Sequence, residues 1–377
     1  MKIGIVLYPT FGGSGVVATE LGKALSQKGH EIHFITYSQP VRLGSFRENI
    51  YYHEVAVSNY PLFEYQPYET ILASKMVDVV KYEKLDILHV HYAIPHASAA
   101  FMAQQILEAQ GIRIPFVTTL HGTDITLVGK DPSFEPVISF CINKSDAVTA
   151  VSESLKSDTY TNFHTVRDIK VIPNFIDSKE ELSEVSLEKR RRYAQDDEKI
   201  LCHISNFRKV KRVEDVLSVF AKVVEEVPAK LIFVGDGPER YNLERLCREL
   251  SLCNKVIFIG KVSDTSHVLE ISDLFVLPSE TESFGLAALE AMAVGVPVIS
   301  SNTGGIPEVN IHGFSGYLSN VGDVDDMATN AINLLKNEVL FQQFRNNALQ
   351  RAKQFSIDKV LPLYEDIYYS LIDTAVQ

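Results

Sequence analysis

The sequence predicts an α/β protein built from two doubly wound, Rossmann-like domains, each a parallel sheet with helices on both faces. Three observations predict it. Short β-rich runs alternate with amphipathic segments from one end of the chain to the other. Glycine-bearing turns recur directly after several of those runs, and 377 residues exceed what one hydrophobic core usually holds.

In the first half the β-rich runs are 3–8, 31–36, 86–91, 116–120 and 147–151; in the second half they are 200–205, 231–234, 256–259, 274–277 and 298–300. Helical spacers separate them, among them 16–27 and 213–224. The boundary is placed at Val171-Ile-Pro-Asn-Phe-Ile-Asp177, because Pro173 breaks regular structure and a highly charged segment, 179–199, follows. That divides an N-terminal domain, 1–172, from a C-terminal one, 173–356. A last, aromatic-rich helix at about 357–374 is expected to pack back on the first domain, which then also holds 357–377.

Apolar residues make up 46% of the chain and charged residues 22%, a globular balance. A formal charge of -12 argues against a general nucleic-acid binder and against a protein held on anionic lipid, since both need a clustered basic surface. Two local basic runs stand out. Arg208-Lys-Val-Lys-Arg212 follows a strand, whereas Lys189-Arg-Arg-Arg192 lies in a polar stretch and reads as a solvated helix face. Cys141, Cys202, Cys247 and Cys253 form no CxxC pair, and three of them lie in apolar or helical segments where buried free thiols are common. No leader-like region precedes the first strand and no apolar run approaches the roughly 18 residues of a membrane span, so a cytoplasmic location is expected.

The candidate site residues cluster after strands. Gly12-Gly13-Ser14-Gly15 contains Gly13-x-Gly15-x-x-Ala18, close to a dinucleotide fingerprint, yet the second strand ends without the carboxylate a nicotinamide enzyme needs for ribose. The preferred reading is a loop whose N–H groups approach an anion; the alternative is a bare strand-to-helix turn. His89, His91, His96 and His121 lack acidic or cysteine partners at metal spacing, so no metal is expected there. His121, directly after a strand, is the first domain's best candidate for a sugar-hydroxyl contact. In the second domain Arg208 and Lys211 are placed to neutralise a departing diphosphate, an exposed basic loop being the alternative. Gly235-Asp-Gly-Pro238 and Gly304-Gly305 are further strand-to-helix turns. Glu282-Ser-Phe-Gly-Leu-Ala-Ala-Leu-Glu290 runs from a loop into a helix starting near Gly285 and Leu286, whose free N–H groups suit a diphosphate. Glu282 can then accept from sugar hydroxyls and Glu290 from a ribose diol; otherwise both are solvated helix-face acids.

Taken together these residues resemble the retaining nucleotide-sugar glycosyltransferases of family 4, over nearly the whole chain. The resemblance implies the GT-B architecture of two facing Rossmann-like domains with the active site in the interdomain cleft, and no cofactor or metal. It implies that His121, Glu282, Arg208 and Lys211 are catalytic and that Gly13, Gly235, Gly285, Leu286 and Glu290 bind the donor. One departure is Asn206, where the family commonly has an Arg five residues before the lysine, so that Arg208 supplies the charge instead. The runs 12–20, 89–96 and 203–212 are similar to the branch that transfers N-acetylglucosamine from UDP-N-acetylglucosamine to the hydroxyl of L-malate in the first step of bacillithiol biosynthesis. Ser14, Tyr92, Thr119 and Asn174 are then the acceptor-side candidates. No nucleic acid and no stable membrane association are expected, and a homo-oligomer is left open. The rival readings are a transferase with a different acceptor, a UDP-sugar epimerase of the same architecture and a nucleotide-sugar sensor.

Overall fold

The computed structural model describes residues 1–10, 12–44, 47–56, 66–177 and 187–376; Phe11 and the 179–186 part of the charged segment lie outside the described residues. The chain forms two compact units, Met1–Asn174 with Ile357–Gln377, and Phe175–Ser356. The division thus falls two residues beyond the expected boundary, after Asn174.

Unit 1 holds β1 (Lys2–Val6), α1 (Gly13–Gln27), β2 (Glu31–Thr36), β3 (Ile50–Glu54), α2 (Tyr68–Glu83), β4 (Ile87–His91) and α3 (Ser98–Glu108). It continues with β5 (Phe116–Leu120), α4 (Glu135–Lys144), β6 (Ala147–Ala150), α5 (Glu153–Asn162) and β7 (Ile169–Val171). All neighbouring strands are parallel, in the order β3-β2-β1-β4-β5-β6-β7. Unit 2 holds α6 (Leu187–Arg190), β8 (Lys199–Ile204), α7 (Val213–Glu226), β9 (Ala229–Val234), α8 (Arg240–Glu249) and β10 (Val256–Gly260). Then come α9 (Ser266–Leu269), β11 (Leu274–Leu277), α10 (Leu286–Ala293), β12 (Val298–Ser301), β13 (Gly316–Ser319), α11 (Val324–Lys336) and α12 (Glu338–Ala352). Its parallel sheet runs β10-β9-β8-β11-β12-β13.

The interior strands form because near-continuous apolar runs such as Ile87–His91 and Leu274–Leu277 are fully buried on both faces. The helices cover them with one stripe each. On α7, Val213, Val216, Leu217, Phe220 and Val223 recur at helical spacing and are all buried. Three strands lie outside the sequence expectation: β3, β7 and β13. Each is the edge of its sheet. An edge strand has one solvated flank and therefore carries a weaker apolar signal; β3 reads Ile-Tyr-Tyr-His-Glu, and none of its residues is buried.

The C-terminal helix α13 (Ile357–Val376) belongs to unit 1. Its Tyr364 and Tyr368 are buried, and Tyr368 Oη shares a 2.7 Å hydrogen bond with His89 Nδ1. The basic run at 189–192 departs from the solvated-face reading at one position. Arg190 donates to Asp273 Oδ2 at 2.6 Å and to the Glu198 carbonyl at 2.8 Å, tying α6 to the residue that precedes β11. Arg191 and Arg192 do stay exposed. Cys141, Cys202 and Cys247 are buried free thiols and Cys253 is exposed. Among the described residues, no helix is long and apolar enough to cross a membrane.

Candidate active site

In a doubly wound sheet the chain winds outward in both directions from one pair of strands, and loops leaving that pair at its carboxyl end part to make a crevice. In unit 2 the pair is β8 and β11. They share only two register positions, Leu274 with Leu201 and Phe275 with Cys202, whereas β8 and β9 share six. Beyond Phe275 the ladder is replaced by a side chain: His203 Nδ1 donates to the Val276 carbonyl at 2.8 Å, and His203 Nε2 lies 2.8 Å from Ser205 Oγ. Burial holds His203 down at about 4, so it is a neutral imidazole there, with Nδ1–H fixed by the carbonyl it faces.

The two loops at this opening meet through charge. Lys211 Nζ, from the loop after β8, donates to Glu282 Oε2, from the loop after β11, at 2.6 Å; both side chains are mostly covered. Backbone joins them as well, since Glu280 N donates to the Val210 carbonyl at 2.8 Å. Arg208 is exposed on the same loop as Lys211. Under the acid loop lies the turn after β12. A Cβ on Gly304 would sit 2.0 Å from the Glu282 carbonyl, and Gly305 N donates to that carbonyl at 2.9 Å. Gly304 also has φ +55, so glycine alone lets the turn pack directly against Glu282.

Gly285, at φ +95, caps α10, leaving its first-turn N–H groups at the carboxyl end of β11. Glu290 is one turn along the helix, half-buried, and its Oε2 accepts from Thr265 Oγ1 at 3.3 Å. Gly235 has a packing reason of its own, because at φ +120 its Cβ would meet the Ser205 carbonyl at 1.8 Å. It lets the loop after β9 lie flat on the loop after β8.

In unit 1 the diverging pair is β1 and β4. Ser14 Oγ, in the first turn of α1, and Tyr92 Oη, just after β4, are 2.5 Å apart and bridge it. Gly13 is exposed at the start of α1. Tyr92 has φ +89, an uncommon conformation for a bulky residue, held in place by its N–H donating to the Thr119 carbonyl at 2.9 Å. Around it the Tyr8 ring centroid lies 4.5 Å from that of His96, and Tyr92 lies 5.3 Å from His121. His91 Nδ1 and His121 Nε2 are 2.8 Å apart. Burial lowers His121 to about 3 and His96 to about 4, so both are neutral near pH 7.

Some buried polar side-chain atoms have no hydrogen-bond partner. In unit 1 they include His91 Nε2, His96 Nε2, Tyr68 Oη and Asn174 Oδ1. His96 Nδ1 donates to the His91 carbonyl, so the neutral ring presents Nε2 as an acceptor. An acceptor of this kind suits a hydroxyl donor. Asp124, fully buried, receives N–H bonds from Ala93 at 2.8 Å and Gly122 at 3.1 Å, pinning the loop after β4 to the loop after β5. Burial nevertheless pushes its carboxyl up to about 6, against the pull of those donors.

One expected residue has no surface to offer. Thr119 is wholly buried, its Oγ1 bonded to His89 Nε2 at 2.7 Å and to Thr149 Oγ1 at 2.7 Å, next to the His89–Tyr368 hydrogen bond to α13. Tyr8, His96, Asp124 and His203 were given no role from sequence. The loop after β5, His-Gly-Thr-Asp, carried the only local signal for Asp124.

The pattern named Glycosyltransferase Family 4 matches residues 11–180, and that named Glycosyl transferases group 1 matches residues 185–353. The N-acetyl-alpha-D-glucosaminyl L-malate synthase of Bacillus anthracis is 51% identical over 374 residues, covering 99% of this chain and 97% of that one. The chain belongs to glycosyltransferase family 4. Two solved structures share the fold of this glycosyltransferase across nearly its full length. The sucrose-phosphate synthase of Thermosynechococcus elongatus superposes with a TM-score of 0.81 at 20% identity, covering 99% of each chain. Anabaena HepE, crystallised with UDP and glucose, superposes with a TM-score of 0.80 at 21% identity, covering 98% of this chain and 99% of its own.

Proposed function

We propose that this glycosyltransferase moves N-acetylglucosamine from UDP-N-acetylglucosamine to the hydroxyl of L-malate with retention at the anomeric carbon, the first step of bacillithiol biosynthesis. The observation that carries the reading is the 51% identity with the Bacillus anthracis synthase, sustained over 99% of the chain. In this reading unit 2 takes the donor. Arg208, Lys211 and the first-turn N–H groups of α10, at Gly285 and Leu286, stabilise the diphosphate as charge develops on it. Glu290 accepts from the ribose diol, and Glu282, oriented by Lys211 and seated on Gly304, positions the sugar. A leaving phosphate oxygen takes the acceptor proton on the face from which it departs, so no protein nucleophile, cofactor or metal enters the transfer.

Unit 1 takes the acceptor, with Ser14 offering its N–H at the start of α1 to the acceptor's carboxylate, while Gly13 beside it contacts the donor. Tyr92 and Asn174 supply further acceptor contacts, and His121 contacts a hydroxyl of the transferred sugar. A small, soluble hydroxy acid fits an acidic chain acting in the cytoplasm.

The test is UDP release from UDP-N-acetylglucosamine with L-malate, set beside other hydroxy acids and lipid acceptors, with the product's anomeric configuration read by NMR. Malate-dependent release giving the α-anomer is expected. Equal release with unrelated acceptors would reject the malate assignment, and conversion of the UDP-sugar without any acceptor would indicate an epimerase.

A further inference from the structure

At one edge of the unit 1 sheet, two strands beyond β1, the strand β3 carries a group that the proposed transfer reaction does not use. His33 on β2 and His53 on β3 face one another, with His33 Nδ1 2.9 Å from His53 Nε2. Glu83, the last residue of α2, joins them, and one ligand atom from each of the three lies within 4.8 Å of the others. No other such group of histidine, cysteine and carboxylate side chains occurs among the described residues.

The parallel register explains the convergence. His33 pairs with Tyr51, so Glu31 and His33 on β2 share a face with Tyr51 and His53 on β3, the face toward α2. Tyr51 stacks on His33 with ring centroids 4.9 Å apart, fixing the plane of the imidazole. The other ring nitrogen, His33 Nε2, lies 3.0 Å from Glu31 Oε1, and Glu31 is itself held by Lys2 Nζ at 2.7 Å. A carboxylate accepts only, so the proton of the neutral ring sits on Nε2 and the Nδ1 lone pair points toward His53 and Glu83. A carboxylate behind a histidine that orients its free nitrogen is the arrangement that supports metal-ligating imidazoles. Lys75 is the further cation facing His53.

We propose that His33, His53 and Glu83 bind one divalent transition-metal ion of the zinc class, which clips the edge strand β3 to β2 and to the end of α2. His33 would ligate through Nδ1, His53 through Nε2 after its proton moves to Nδ1, and Glu83 through a carboxylate oxygen, with Glu31 behind His33 and water completing the shell. Nitrogen and oxygen ligands about 2.0–2.1 Å from a tetrahedral ion stand about 3.3 Å apart. That spacing falls between the 2.9 Å of the histidine pair and the 4.8 Å bound of the whole group, so small side-chain adjustments suffice. Two imidazoles and one carboxylate favour zinc, cobalt, nickel or copper over magnesium or calcium.

The experiment titrates the chelator-treated full-length protein with Co²⁺, followed by visible absorption, and then with Zn²⁺, followed by displacement of cobalt and by the melting temperature. One ion per chain with a tetrahedral cobalt spectrum and a raised melting temperature is expected. His53→Ala and Glu83→Gln should each abolish the spectrum and the thermal shift while transferase activity without added metal stays at the wild-type level. Glu83→Gln keeps the test open should His53→Ala fold poorly. His121→Ala should leave binding intact. The proposal is overturned if cobalt gives no spectrum, if the spectrum survives in both site variants, if it is lost with His121→Ala, or if Mg²⁺ produces the same thermal shift. In each of those cases His33 and His53 are a hydrogen-bonded pair and nothing more.

Discussion

Lys211 and Glu282 stand 71 positions apart in sequence, yet their side chains meet at 2.6 Å across the opening between β8 and β11. The cation proposed for the diphosphate and the acid proposed for the sugar are thus one charge-assisted pair, each holding the other in place. Lys211→Ala is expected to lower turnover by roughly 100-fold, the usual cost of losing one donor aimed at developing charge. Glu282→Gln should release Lys211 as well as weaken the sugar contact. If the two act as a unit, the double variant will be little worse than the worse single one, as measured by UDP release. Fully additive losses would mean that the two residues act independently and not as a unit.

Gly304 supports that pair from beneath. Gly304→Ala adds a Cβ at 2.0 Å from the Glu282 carbonyl in a left-handed backbone, so the acid loop must move. Gly313→Ala is the matched control, with φ +73 and no atom within 4 Å of the added Cβ. Both should cost about 1 kcal/mol or more through conformation. Only Gly304→Ala should also depress turnover, and equal activity in the two variants would rule out this support.

Much of this architecture was legible in the sequence, for identifiable reasons. Interior strands such as Phe116–Leu120 announce themselves because burial on both faces demands unbroken apolar runs. Ser14, Tyr92, His121, Arg208 and Glu282 were expected beyond strand carboxyl ends because parallel sheets gather polar residues there, and each follows a strand in the structure. What stayed hidden is what depends on a partner far away in sequence. Nothing near Lys211 announces Glu282, and nothing near Arg190 announces Asp273. The burial of Thr119 was hidden for the same reason: its position at a strand end is visible, whereas the cover of α13, more than two hundred residues later, is not. His33 and His53 escaped notice because their meeting depends on β3, an edge strand whose polar composition hid it.

Thr119 and Tyr92 give a paired test of the acceptor side. Thr119→Val leaves His89 Nε2 and Thr149 Oγ1 without their shared partner in the interior, so a stability loss of about 1–3 kcal/mol is expected with the acceptor KM unchanged. Tyr92→Phe removes a hydroxyl that bridges to Ser14 at the strand opening, and should raise the acceptor KM with a smaller loss of stability. Chemical denaturation and steady-state kinetics read the two effects, and a raised KM in Thr119→Val would place it on the acceptor side.

Glu290 tests the donor assignment. Glu290→Gln preserves size and an oxygen that can accept from Thr265, but removes the charge that favours a ribose diol. Weaker binding of UDP and of UDP-N-acetylglucosamine alike is expected by calorimetry, since both carry the ribose. Unchanged affinity for both would refute the ribose contact.

The buried histidines set the acid limit of stability. Burial lowers His89 and His121 to about 3 and His96 to about 4 from the ordinary 6.5. A group that binds its proton more weakly when folded contributes stability that is complete above pH 6.5 and is lost as pH falls toward those values. Asp124 acts oppositely: burial raises it from 3.8 to about 6, so its contribution is complete below 3.8 and is lost as pH rises through about 6. Between about pH 7.5 and 5.5 His89, His96, His121 and His203 oppose one carboxylate, with buried His91 shifted in the same direction, and each of the four costs about 1 kcal/mol over that span. The urea midpoint should therefore fall on acidification, and it should fall less in His89→Gln, which removes one of the protons taken up on unfolding. An equal fall in the two proteins would show that His89 is already protonated in the folded chain, and the neutral, hydrogen-bonded histidine layer beneath α13 would have to be abandoned.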